Sequence, residues 1–271
     1  MIGAEKHTGG KAYDNIAVER DGELDSVVRI TMNRPKKRNA LSLAHMEDLI
    51  HAFTQVESDG EVQAVILAGN GPAFCAGHDL KEMLGRDHDF YRRTFDVCTE
   101  LMTKVQEIPQ PVIAEVHSIA TAAGCQLAAT CDLVVAAEEA KFATPGVRIG
   151  LFCSTPMVAL SRAVGQKKSM EMLLTGEFVG AAEAERIGLV NRVVPTDKLR
   201  STTRELARRI SGASRLVVGI GKQAFYKQHE MPTSDAYAYT KEVMSHNATL
   251  ADAQEGMGAF LEKREPEWTN R

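Results

Sequence analysis

Two short turns of small residues carry the strongest chemical suggestion in this 271-residue chain: Ala76-Gly77-His78-Asp79 and Ala122-Ala123-Gly124. Small residues let a ligand approach the backbone, and a turn entering a helix presents N–H donors to an oxygen that gains negative charge. Each turn alone is as readily an ordinary glycine-containing bend. His78 adds an imidazole that titrates near neutrality. Other groups with chemical potential are His117, after an apolar run, and Glu115, inside it. Cys153 and Ser154 are nucleophile types with no base beside them. The blander reading of these is a turn histidine, a strand-edge carboxylate and packed small residues. Lys36, Lys37 and Arg38 form a basic cluster that suits phosphates, or equally a solvated charged turn.

Several classes of function are disfavoured. The histidines show no HExxH spacing, and the five cysteines, Cys75, Cys98, Cys125, Cys131 and Cys153, show no CxxC. An odd, unpaired set points to reduced thiols, and no metal is expected. A formal net charge of −4 argues against a nucleic-acid partner. No apolar run nears the roughly 18 residues of a bilayer span, so no membrane partner is expected. Residues 1–15 read as a loose leader without the apolar core of a secretory signal. Glu5 and Asp14 argue against an intact organellar transit peptide. The expected location is cytoplasmic, or the mitochondrial matrix if a transit segment has been removed.

The elements that must position the turns follow from periodicity. Ile16–Glu19 and Val27–Met32 read as strands separated by Asp21-Gly22, a hairpin signal. Ser42 starts a helix whose Leu43, Met46, Leu49, Ile50, Phe53 and Val56 form one apolar stripe. Strands are predicted over Val62–Leu67, Val112–Val116 and Leu133–Ala137, and a helix over Asp89–Glu107. This alternation predicts an α/β domain. From about residue 156 the pattern is mainly helical, with segments at Met170–Leu174, Ala181–Ile187, Leu199–Ile210 and Leu216–Tyr226. The expected organisation is a core over 1–200 and a C-terminal helical region over 201–271.

Several stretches also match one family in order and spacing. They are Asn33-Arg34-Pro35-Lys36-Lys37-Arg38-Asn39-Ala40-Leu41, Phe74-Cys75-Ala76-Gly77-His78-Asp79-Leu80-Lys81-Glu82-Met83, and Ala122-Ala123-Gly124-Cys125-Gln126-Leu127-Ala128. Phe142-Ala143-Thr144-Pro145, Leu174-Thr175-Gly176-Glu177, Gly188-Leu189-Val190-Asn191 and Glu255-Gly256-Met257 follow. Each is weak alone. Together, over about residues 16–264, they resemble the enoyl-CoA hydratase/isomerase (crotonase) family.

The resemblance implies a spiral of repeated ββα units with helical C-terminal trimerisation elements. It implies a homotrimer or hexamer that acts on acyl-CoA thioesters, as in fatty-acid metabolism. Coenzyme A would enter as part of the substrate, with no other cofactor. The N–H groups of His78 and Ala123 map onto the family's oxyanion hole, where losing one donor costs about 3 kcal/mol. Relatives usually carry glycine where Ala123 stands, which predicts a tighter or tilted hole. Lys36, Lys37, Arg38, Ala40, Ala76, His78, Asp79 and Leu80 would border coenzyme A. Phe260 and Lys263 would reach its nucleotide end from a neighbouring subunit. The two glutamates with which hydratases move protons map onto Gln126 and Gly146. An amide cannot take a proton from water at neutral pH, and glycine offers nothing. Slow hydration is therefore expected, and restoring glutamate at both positions should raise it if the backbone is already correct.

Overall fold

The alternation near the N-terminus folds as a hairpin, in which β1 (Ile16–Asp21) pairs antiparallel with β2 (Leu24–Met32). The computed structural model describes residues 12–271, so most of the predicted leader lies outside the described residues. Ser42 caps α1 (Leu43–Ser58) by accepting from the His45 N–H, which satisfies one of the donors left open at a helix start. Met46, Leu49, Phe53 and Val56 of the predicted stripe are buried.

Parallel strands β3 (Ala64–Gly69), β5 (Val112–Val116), β7 (Leu133–Ala137) and β10 (Arg192–Val194) extend the hairpin into a six-stranded sheet of order β1-β2-β3-β5-β7-β10. A second sheet, of order β4-β6-β8-β9, consists of β4 (Ala73–Cys75), β6 (Ile119–Thr121), β8 (Lys141–Ala143) and β9 (Val179–Gly180). Periodicity did not predict these strands, because two or three residues are too few to show an alternation. They matter most for the site. β3, β5 and β7 are each followed by a short strand and then a helix, giving the expected spiral of ββα units. α2 (Leu80–Met83) and α3 (His88–Glu107) follow β4, and α4 (Ala123–Thr130) follows β6. β4 and β6 are parallel neighbours, with Ala73 opposite Ile119 and Cys75 opposite Ala120. The two small-residue turns therefore leave the same end of adjacent strands.

The remaining helices are α5 (Pro156–Ala163), α6 (Gln166–Thr175), α7 (Ala181–Arg186), α8 (Leu199–Ser211), α9 (Arg215–His229), α10 (Thr233–Ala248) and α11 (Ala251–Glu262). α8 lays Leu199, Leu206 and Ala207 over the outer face of the main sheet, against Val27, Ile66, Ile113 and Val135. On that face Arg29 of β2 reaches across β3 to Glu115 of β5 and donates two bonds, at 2.7 and 3.0 Å. Glu115 is thus no strand-edge carboxylate, since β5 lies between β3 and β7 and the side chain is buried. Its charge is tolerated because the guanidinium matches it bidentately.

His45 sits beneath the 34–41 segment, fully buried, with Nδ1 3.2 Å from the Ala40 carbonyl. Burial lowers its pKa to about 4, against a weaker opposing pull from that carbonyl. The folded state therefore binds this proton less readily than the unfolded chain, whose histidine titrates near 6.5. Stability should be fully present above about pH 6.5 and fall as the pH drops toward 4, by up to roughly 3 kcal/mol. Urea unfolding across that range should show the slope, and His45→Gln should flatten it.

Candidate functional site

The segment 34–41 is bound tightly to the turn at 76–79. Asn39 is buried in a left-handed conformation (φ 53°), which asparagine tolerates better than most residues. Its Nδ2 donates to the carbonyls of Asn70, Ala73 and Phe74 at 2.9, 2.8 and 3.1 Å, and its Oδ1 accepts from the Arg34 N–H at 2.8 Å. Arg34 donates to the Ala40 carbonyl and pairs with Asp79 at 3.1 Å. Residue types alone do not reveal these positioning roles of Arg34 and Asn39, although both stand within the 33–41 motif. Asp79 also caps α2 by accepting from the Lys81 N–H at 3.2 Å.

This framework leaves one donor open. The Leu41 N–H donates to the Gly77 carbonyl at 2.8 Å, and the Asp79 N–H to the Leu41 carbonyl at 3.0 Å, forming a bridge around His78. The His78 N–H between them has no hydrogen-bond partner among the described residues. Gly77 has φ +91°, and a Cβ there would stand 2.8 Å from Ala122 Cβ and 3.4 Å from the Ala123 nitrogen. The two turns are in contact, and only glycine permits it. Ala122 takes a strained φ of 50° with its N–H bonded to the Ala143 carbonyl at 2.9 Å. Ala123 then opens α4, where a helix has no internal partner for its first N–H groups. Two unmatched N–H donors on adjoining turns, one at a helix head, can hold an oxygen that carries negative charge.

The other predicted residues fall as follows. Lys36, Lys37 and Arg38 are exposed, and Ala40 is buried below them. Ala76 donates its N–H to the Arg38 carbonyl at 3.0 Å, and Leu80 is exposed. Phe260, 82 % exposed, and Lys263, at the end of α11, form no hydrogen bond or ion pair with these turns within the chain. Gln126 lies buried three residues beyond Ala123, with its Oε1 unpartnered. The His78 ring packs edge-on to Phe95 of α3, centroids 5.6 Å apart, and both ring nitrogens are buried without partners. Burial lowers its pKa, opposed weakly by the nearby Leu41 carbonyl. His117 Nε2 lies 2.8 Å from the Gly71 carbonyl, as a turn histidine would. All five cysteines are free and buried; burial pushes the Cys125 thiol up to about 12 and raises that of Cys153.

Gly146 overturns one expectation. It lies in the tight turn Pro145–Ile149, and its N–H donates to Cys153 Sγ at 3.4 Å. A Cβ at Gly146 would stand 1.9 Å from the Leu151 carbonyl oxygen and 2.8 Å from Cys153 Sγ. The place of a side chain is filled by the chain's own 151–153 loop. The backbone is therefore not ready for a glutamate, and adding one at both positions cannot restore hydration without moving that loop.

The spiral of ββα units with two free N–H groups between its turns is the architecture of one family. The enoyl-CoA hydratase/isomerase family model matches residues 22–271, and the chain belongs to that family. It is 45 % identical over 249 residues to human enoyl-CoA hydratase domain-containing protein 3, mitochondrial, covering 92 % of this chain and 83 % of that one. The segments Gly124-Cys125-Gln126-Leu127 and Gly150-Leu151-Phe152-Cys153-Ser154-Thr155-Pro156 resemble this branch. The crystal structure of the human protein superposes with a TM-score of 0.91 at 44 % identity, over 94 % of this chain and 100 % of that one. An enoyl-CoA hydratase from Mycobacterium smegmatis also superposes at 0.91, with 49 % identity over 94 % of this chain and 99 % of that one.

Proposed function

We propose that the chain binds an acyl-CoA thioester whose carbonyl oxygen accepts from the N–H groups of His78 and Ala123, and that it hydrates 2-enoyl thioesters poorly. What supports this is the pair of unmatched N–H donors on touching turns. A thioester becomes reactive when its carbonyl oxygen takes negative charge, and fixed donors favour that charge. Hydration further needs a base for water and an acid for the α-carbon. Gln126 can orient water but cannot take its proton. A thioester hydrolysis, decarboxylation or isomerisation, or binding without turnover, would use the same hole; product analysis over a panel of acyl-CoA thioesters separates these. No metal or resident cofactor enters the reading. Lys36, Lys37 and Arg38 would meet the phosphates of coenzyme A, with Ala40, Ala76, Asp79 and Leu80 along its path. Calorimetry with butyryl-CoA should show saturable binding at micromolar levels, about −8 kcal/mol. No binding at any chain length would overturn the proposal.

Assembly belongs to the same reading. No residue of α10 is buried, and Tyr237 and Met244 are 75 % and 71 % exposed. A helix draws most of its stability from tertiary packing, so α10 needs a surface this chain does not supply. Exposed Ile149, Leu151, Phe152 and Val158 point the same way. The 201–271 region would then be an assembly element, and Phe260 and Lys263 would act on a neighbour's nucleotide. Light scattering at micromolar concentration should report a trimer or hexamer; a monomer would refute it. Five buried thiols suit a reducing compartment, the cytosol or the mitochondrial matrix.

A further inference from the structure

α11 is held by its polar ties more than by packing. Of its twelve residues it buries two, Asp252 and Ala259, and α10 before it buries none. A helix so thinly packed is placed by whatever ties it to its surroundings. The tie is the chain that follows. Lys263 ends α11 in a left-handed conformation (φ 57°), and residues 264–271 run back along the helix. Arg264 donates to both carboxylate oxygens of Glu255, at 2.6 and 2.9 Å. The Trp268 ring lies over Gly256, where a Cβ would come within 3.1 Å of it, and its Nε1 donates to the Gly212 carbonyl at 2.9 Å. The tail then converges on Asp252, 1 % exposed. That carboxylate accepts from the N–H and the hydroxyl of Thr269 at 2.7 and 3.0 Å, from the Asn270 N–H at 2.9 Å and from the Ser214 hydroxyl at 2.5 Å. Ser214 caps α9, so one buried carboxylate joins the starts of α9 and α11 to the tail. α9 in turn is fixed to the core, because Lys222 donates to the carbonyls of Val105 and Gln110 and pairs with Asp132 at 2.8 Å.

Resting on the reading above, in which Phe260 and Lys263 act on a neighbour's nucleotide, we propose that residues 264–271 are a strap, locked by Asp252, that sets where α11 holds those two side chains. Asp252 is a positioning residue in this account: it touches no ligand and acts through α11. At a rise of about 1.5 Å per residue, Lys263 lies roughly 16 Å along the helix from Asp252. A tilt of about 10° at the tied end therefore moves Lys263 by roughly 3 Å, enough to break a hydrogen bond. Among the described residues, the turns at 76–79 and 122–124 make no hydrogen bond with the strap. A loosened strap thus weakens the hold on the nucleotide and spares the acyl end.

The test is calorimetry with butyryl-CoA and with S-butyryl-pantetheine, which lacks the nucleotide and is read by displacement. Light scattering and circular dichroism check that each variant assembles and folds. Asp252→Ala should weaken butyryl-CoA about tenfold and S-butyryl-pantetheine by about twofold at most. Asp252→Asn, which keeps one acceptor, should recover part of the loss. In a protein already carrying Phe260→Ala and Lys263→Ala, adding Asp252→Ala should cost butyryl-CoA about twofold or less, since the side chains that the strap places are gone. Unchanged affinity in Asp252→Ala, equal weakening of both ligands, or a tenfold loss that persists in that background would overturn the inference and leave the acyl-CoA reading standing. Absence of binding by both ligands to the unmodified protein would overturn both. If Asp252→Ala does not fold or assemble, Trp268→Phe decides. It removes one bond of the strap and should weaken butyryl-CoA alone, by about threefold; an unchanged affinity there refutes the inference.

Discussion

Crotonyl-CoA hydration by the purified protein should run several orders of magnitude below a competent hydratase. Each well-placed acid or base contributes about 10²–10⁴-fold, and under the proposed function Gln126 and Gly146 stand where two such groups would be needed. The two positions should respond differently to repair. Gln126→Glu puts a carboxylate where a buried amide already fits, with an unpartnered oxygen. Burial would raise the pKa of that carboxylate, which suits an acid. A gain of up to about 10²-fold is expected from it. Gly146→Glu should bring no gain and a loss of stability, because its Cβ would overlap the Leu151 carbonyl oxygen at 1.9 Å. Inserting bulk into packed structure typically costs about 1–3 kcal/mol, and backbone, unlike a flexible side chain, cannot swing aside. Steady-state hydration followed by loss of enoyl absorbance, with urea melts of each variant, checks both. Turnover by the unmodified protein of about 10 s⁻¹ or more would show that another group moves the protons. His78→Ala would be the first variant to examine in that case.

Glu115→Ala should destabilise the protein by about 3–5 kcal/mol, the range for breaking a buried ion pair. The change leaves the Arg29 guanidinium, 3 % exposed as a residue, without its carboxylate under α8. Its Nε already lacks a partner, so no other bond offsets the loss. The double change Arg29→Met with Glu115→Leu should be close to neutral or stabilising, since it removes both charges and keeps similar volume. Urea denaturation of the two variants separates the readings. A cost under about 1 kcal/mol for Glu115→Ala would mean that water reaches Arg29.

The local elements were legible where a period could accumulate. Sixteen residues of α1 carry a stripe and a Ser42 cap, and β2 runs for nine residues. Over such lengths a single chain segment records which of its faces is buried. The ordered motifs carried the family and the ββα plan, and they single out His78, Ala123, Gln126 and Gly146 as candidates. The short second sheet left no such record, because strands of two or three residues are set by what lies beside them. Contact between the turns depends on β4 and β6 pairing in parallel, which brings residues 77 and 123 together from 46 positions apart in the sequence. Glu115 read as a lone charge because its partner, Arg29, lies 86 residues away across another strand. The resemblance marks Gly146 as a position without an acid, but that the 151–153 loop occupies the space is a matter of volume, and residue types do not encode volume one position at a time. The same holds for the two free N–H groups: a sequence names every donor and acceptor, and only the folded chain decides which of them are left for a ligand.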